Sequence, residues 1–169
     1  LDRSNEDPFS ISYPSVLFDN GKYRMWYGSN LKWGKDQSEM QHVIKYAESN
    51  DGLRWNRTDQ IHVGLMHKGE YALSKPFVVK DQDMYRMWYS YRASPQSDFY
   101  RIGYAESADG FKWSRMDNTI ILENSNTKSN WDSEMNCYPF IFDYKNQRYM
   151  LYNGNGYGKT GFGLKKKKK

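Results

Sequence analysis

The sequence predicts an all-β chain assembled from repeated four-stranded units, and three observations carry that prediction. The run YRMWY at Tyr23–Tyr27 recurs unchanged at Tyr85–Tyr89, and KYAESNDGLRWNR at Lys45–Arg57 returns as GYAESADGFKWSR at Gly103–Arg115, each about sixty residues on. A third copy starts at Tyr138–Tyr152 (YPFIFDYKNQRYMLY) and runs to Gly161–Leu164 (GFGL). Short aromatic and apolar runs separated by Asp, Asn and Gly complete the pattern, with no sustained helical period beyond short turns around 61–71.

Within a unit the first strand follows a proline, as in Pro14–Phe18, Pro76–Val79 and Pro139–Phe142. Proline at a strand's first residue costs no ladder bond and fixes φ. A turn of residues that tolerate positive φ comes next: Asp19-Asn20-Gly21, Asp81-Gln82-Asp83, and 143–146. The second strand is YRMWY, whose bulk suits a pleated surface. The third is VIKYAES or RIGYAES, and an Asp-Gly turn leads to a fourth strand carrying Trp55 or Trp113. Four antiparallel strands with aromatics at matched positions describe a propeller blade. A lone blade cannot bury both faces, so Met25, Trp26, Met87 and Trp88 are expected to fill the layers between blades. Glu48 and Glu106 recur in register and read as structural.

The 169 residues hold two complete units and part of a third, at about 8–58, 70–118 and 132–164. Propellers need about 4–8 blades to close, so residues 1–164 are expected to be an incomplete propeller domain, completed by missing blades or by self-association. Lys165–Lys169 stand where earlier units read Ala-Glu-Ser and then Ala-Asp or Asn-Asp. These five lysines equal the whole net charge of +5 and read as an appended tail. Apart from the tail there is no basic excess to favour nucleic acid. No apolar run is long enough to span a bilayer. The one cysteine, Cys137, excludes an internal disulfide framework and gives no compartment. His42, His62 and His67 lack metal-ligand spacing, so neither a metal nor a cofactor is expected.

In a propeller, the loops before the first strand and those between the second and third open on one face. That face would carry Asp7, Glu70, Asp132 and Glu134 before the prolines, with Trp131 beside them. From the other loops (30–35, 92–98 and 153–159) come Trp33, Arg92, Asn153, Asn155 and Tyr157. Aromatic platforms with amides, an arginine and carboxylates suit sugars, which present apolar faces ringed by hydroxyls. Glu134, Glu70 and Asp7 are the candidate catalytic carboxylates, because glycoside cleavage needs facing carboxyl groups. The Trp131 ring, three residues from Glu134, could dry that carboxyl and raise its pKa, as a general acid requires. Asp7 and Asp132 are also typical of local backbone caps. The 153–158 stretch reads as a glycine-rich hairpin.

At YRMWY, KYAESNDGLRW and GYAESADGFKW the chain resembles the five-bladed β-propeller glycosidases, the arabinanase/β-xylosidase-like and invertase-like superfamily. The resemblance covers nearly all of 8–164 and rests on packing residues. It implies a five-bladed propeller in which three carboxylates from successive blades act as nucleophile or base, modulator and general acid. The nearest positions are Asp7, Glu70 and Glu134, which precede their prolines by seven, six and five residues. Two functions stay open: a glycoside hydrolase-like enzyme that cleaves or transfers glycosidic bonds, and a non-catalytic carbohydrate-binding or assembly propeller.

Overall fold

In the computed structural model the described residues are 1–36, 39–92, 99–119 and 131–167. They form three consecutive blades. The first is β1 (Ser10–Asp19), β2 (Lys22–Lys32), β3 (Gln41–Ser49) and β4 (Asn56–Arg57). The second repeats it as β5 (Ala72–Asp81), β6 (Met84–Arg92), β7 (Arg101–Ser107) and β8 (Ser114–Arg115). The third contains β9 (Cys137–Tyr144), β10 (Gln147–Asn153) and β11 (Phe162–Lys167). Pairing inside each blade is antiparallel and sequential, and one parallel bridge, His42 to Ala72, joins the first two. The YRMWY copies share a register, with Met25 opposite Ala47 and Met87 opposite Ala105. Asn20, Gly21, Gln82, Lys145 and Asn146 take positive φ at the hairpin turns, as the turn chemistry predicts.

One local expectation is corrected. The prolines do not begin the first strands; Pro14, Pro76 and Pro139 lie inside β1, β5 and β9. Each sits at a register shift, where its missing N–H leaves no ladder bond unmade. The residue before each proline, Tyr13, Lys75 or Tyr138, has φ of 53°, 48° or 59°. The glycine-rich 153–158 stretch lies in the connection between the antiparallel strands β10 and β11, with Gly156 and Tyr157 at positive φ. Lys165–Lys167 also extend β11, pairing opposite Met150, Tyr149 and Arg148.

The aromatic repeat residues seal one blade against the next. Trp26 is fully buried, lies edge-on to Trp113, and donates its indole N–H to the carbonyl of Gly110 in the following blade (2.9 Å). Arg24 reaches the Asp109 carbonyl beside it (2.9 Å). At the β1 and β5 ends, Asp19 binds Lys80, and Asp81 binds Arg148 of the third blade. The innermost strands β1 and β5, with Phe140, line an open groove of about 630 Å³. Val16 and Phe18 remain exposed along it.

Candidate functional site

Each blade buries a carboxylate against the tyrosine that ends its YRMWY-type motif. In the first blade that carboxylate is Asp7, which is wholly buried. It accepts hydrogen bonds from Tyr27 Oη (2.9 Å) and Ser29 Oγ (2.5 Å), and pairs with Arg57 (2.8 Å) and Lys45 (3.3 Å). Burial pushes the Asp7 carboxyl up, but the donors Ser29, Arg57 and Tyr27 and the Lys45 charge outweigh it, leaving the pKa below the ordinary value. In the second blade Tyr89 donates to Asp117 (2.5 Å), which follows β8, and Arg115 spans Asp117 (2.6 Å) and Glu70 (2.7 Å). Burial and then these partners act on Asp117 in the same opposed senses, again with a net lowering. The backbone N–H groups of Met66 and His67 also donate to Glu70. In the third blade Tyr152 donates to Asp132 (2.8 Å).

The sequence reading paired Asp7 with Glu134; the geometry pairs it with Asp132. Asp7 and Asp132 each stand seven residues before their proline, and this equal spacing was the available signal. Nor are the two simple backbone caps, since both carboxylates accept from a tyrosine of the second strand. Asp117 was missed altogether, because it has no sequence counterpart in the loops before the prolines.

A second constellation lies where the loops converge. Arg92, at the end of β6, is ringed by Tyr100 (4.8 Å), Tyr71 (5.7 Å) and Tyr157 (5.9 Å), and donates to Tyr157 Oη (2.8 Å). Tyr138 stacks on Tyr157 (6.2 Å) and on Tyr13 (5.9 Å), so rings from the first and third blades meet above the second. Trp33, exposed, stacks on His42 (5.6 Å, 9°), whose backbone N–H bonds the Tyr71 carbonyl. The structure thus links Trp33, Arg92 and Tyr157 through one chain of contacts. Two ring and guanidinium nitrogens in this chain of contacts, Arg92 Nε and His42 Nε2, are buried with no hydrogen-bond partner among the described residues. Burial, then the Arg92 charge, lowers the His42 pKa. Lys75, on the strained bulge beside the groove, has its pKa lowered by burial and forms no ion pair among the described residues.

Glu134 borders this cluster. Its backbone N–H bonds Asn155 Oδ1 (2.9 Å), and its carbonyl accepts from Arg101. The next residue, Met135, takes the same Asn155 oxygen and receives the Tyr157 N–H at its sulfur. Glu134 itself is exposed and enters no ion pair among the described residues. The drying by Trp131 expected from the sequence is not what the structure shows. The indole lies against Tyr152 and over Gly154 and Gly163, where a Cβ would come within 2.4 Å and 2.3 Å of the ring. Asn153 holds the Tyr157 carbonyl (3.0 Å). Asn153, Asn155 and Trp131 therefore shape the Tyr157 loop, while Arg92, Tyr157 and Trp33 present themselves at its face. Residues 93–98 of the predicted loop lie outside the described residues. Cys137 is buried, its thiol pushed up to about 12, first by burial. Among the described residues no group of His, Cys, Asp and Glu could hold a metal ion, and no helix is long and apolar enough to cross a membrane.

No protein-family model matches the chain. It is 47% identical over 158 residues to "Uncharacterized protein Rv1502" of Mycobacterium tuberculosis, covering 94% of this chain and 51% of that protein. A 1,2-beta-oligomannan phosphorylase of a Thermoanaerobacter species is 29% identical over 118 residues, covering 66% of this chain and 38% of the phosphorylase. Among solved structures, the family 117 glycoside hydrolase Zg3597 of Zobellia galactanivorans aligns with a TM-score of 0.74 at 19% identity. That alignment covers 97% of this chain and 54% of the hydrolase. The chain has the fold of glycoside hydrolase propellers, and it spans about half the length of the curated relatives it matches.

Proposed function

We propose that this chain supplies three blades, and much of the binding face, of a five-bladed carbohydrate-active propeller that cleaves or transfers glycosidic bonds. The observation that carries the reading is the cluster of Tyr71, Tyr100 and Tyr157 around Arg92, with Tyr138 stacked on Tyr157 and the exposed Glu134 at its border. Tyrosine faces cover the apolar side of a sugar ring. Buried polar atoms without partners are uncommon in folded proteins, and Arg92 Nε and His42 Nε2 would be satisfied by ligand hydroxyls. In this reading Glu134 gives a proton to the leaving glycosidic oxygen. Water or inorganic phosphate would attack the sugar carbon as that bond breaks, and the likeness to an oligomannan phosphorylase supports a mannoside substrate and keeps phosphate in view. Asp7 and Glu70 act in this reading as paired anions that hold the loops behind the cluster.

A second reading, a carbohydrate-binding propeller without chemistry, is favoured by one observation. Two of the three expected catalytic carboxylates, Asp7 and Glu70, are committed to buried ion pairs. The test uses a protein of the relatives' full length that carries this chain, with binding and turnover of manno-oligosaccharides and other glycosides measured separately, with and without phosphate. Glu134→Gln is expected to keep binding and to lose turnover by at least ~100-fold. Unchanged turnover moves the acid elsewhere. An unaltered protein that binds sugars and cleaves none establishes the second reading.

A further inference from the structure

We infer that Asp132 is a socket for an arginine on an added edge strand, which pairs with β11 and belongs to the further polypeptide that proteins of the relatives' length possess. Asp132 is 4% exposed; its Oδ2 accepts from Tyr152, and its Oδ1 is buried with no hydrogen-bond partner among the described residues. A buried carboxylate with a single neutral donor is costly to keep.

The repeat shows what is missing. Opposite its tyrosine, the first blade gives Asp7 a serine and a lysine, Ser29 and Lys45, in addition to Arg57. In the third blade those two positions are Gly154 and Gly163, and the Trp131 ring covers both. The donor that remains in the repeat plan is the fourth-strand arginine. Arg57 pairs opposite Ala47 of β3, and Arg115 opposite Ala105 of β7. The corresponding residue of β11 is Lys165, which faces Met150 as the two alanines face Met25 and Met87. Beyond β11 the described sheet has no further strand. Register and charge therefore agree on one occupant, a strand of the type Asp-Gly-x-x-Trp-x-Arg whose arginine falls opposite Lys165.

The test extends the chain after residue 167 with a copy of residues 108–119, which places the copied arginine in that register. The extended chain is expected to melt about 5 °C or more above the original. Changing the copied arginine to Met should remove most of the gain. Asp132→Asn should change the original chain little, yet in the extended one it should remove most of the gain, because only there does it break a charge pair. As a check independent of the fusion, a free 108–119 peptide should bind the original chain at least about thirtyfold more tightly than its Arg→Met version. The inference is overturned by any of four results: no gain from the extension together with no peptide binding, a gain that survives loss of the arginine, equal effects of Asp132→Asn in both chains, or a dimer of the original chain that Asp132→Asn dissolves, which would give the socket to a second copy.

Discussion

The first two blades solve one problem with different chain segments. Both must bury the hydroxyl of the tyrosine that closes YRMWY, and both pair a buried carboxylate with the arginine of the fourth strand. In the first blade the carboxylate, Asp7, precedes β1, and Lys45 adds a second cation. In the second blade Asp117 comes from the 3-10 turn after β8, Glu70 precedes β5, and Gly103 stands where Lys45 stood. That glycine is required, since a Cβ there would lie 2.4 Å from the Tyr89 ring and 2.6 Å from Asp117 Oδ1. The tyrosine and the arginine keep their places while the anion moves along the chain. Position in a loop before the first strand is therefore no guide to chemistry in this fold.

The largest expected effect separates the two latches by their arginines. Arg115→Met leaves Glu70 and Asp117 buried beside each other without a guanidinium, at a cost of about 3–5 kcal/mol. Arg57→Met should cost less, because Asp7 keeps Lys45. Equal losses in denaturant melts would show that the lysine contributes nothing. Next comes Gly103→Ala, expected to destabilise by about 1–3 kcal/mol through overpacking. A neutral result would mean that Asp117 can withdraw from Tyr104 N–H, now 3.0 Å away, at no cost.

The acid limb compares the same latches by pH. Asp7 and Asp117 have pKa values lowered in the folded state, so their stabilisation is complete above the ordinary value of 3.8 and is lost as pH falls from there through the folded values. Asp7→Asn should flatten that part of the stability curve, and a melt series from pH 5 to about 2 would read it. The smallest effect belongs to a residue common to both blades. Glu48→Gln removes an exposed pair with Lys22 and should shift stability by no more than about 0.5 kcal/mol.

The legible part of this fold is its packing. Trp26, Trp88, the Asp-Gly turns and the YRMWY strands are local and repeated, so periodicity alone places them. The three positive-φ residues before the prolines were not legible, because X-Pro reads as extended chain unless a bulge is known to be there. At the candidate site, Arg92, Tyr157 and Trp33 could be assigned to one face from loop position. Tyr13, Tyr100 and Tyr138 could not, since they reach the cluster from strands and strand ends whose side-chain directions depend on those bulges. The carboxylates were misaligned for another reason: an equal offset to proline identifies Asp7 with Asp132, whereas chemistry alone favoured Glu134.

The bond from the Trp26 indole to the Gly110 carbonyl has a consequence for how the chain is made. Its partners are 84 residues apart, so at ribosomal rates of about 5–20 residues per second the ring waits roughly 4–17 s for its acceptor to be synthesised. Once Arg57 has been made, the first blade has its strands but still lacks the turn that seals Trp26. A nascent chain stopped before Gly110 holds a buried-type tryptophan open to solvent, a ready target for chaperones. Synthesis order thus makes the second blade's last turn the step that finishes the first blade.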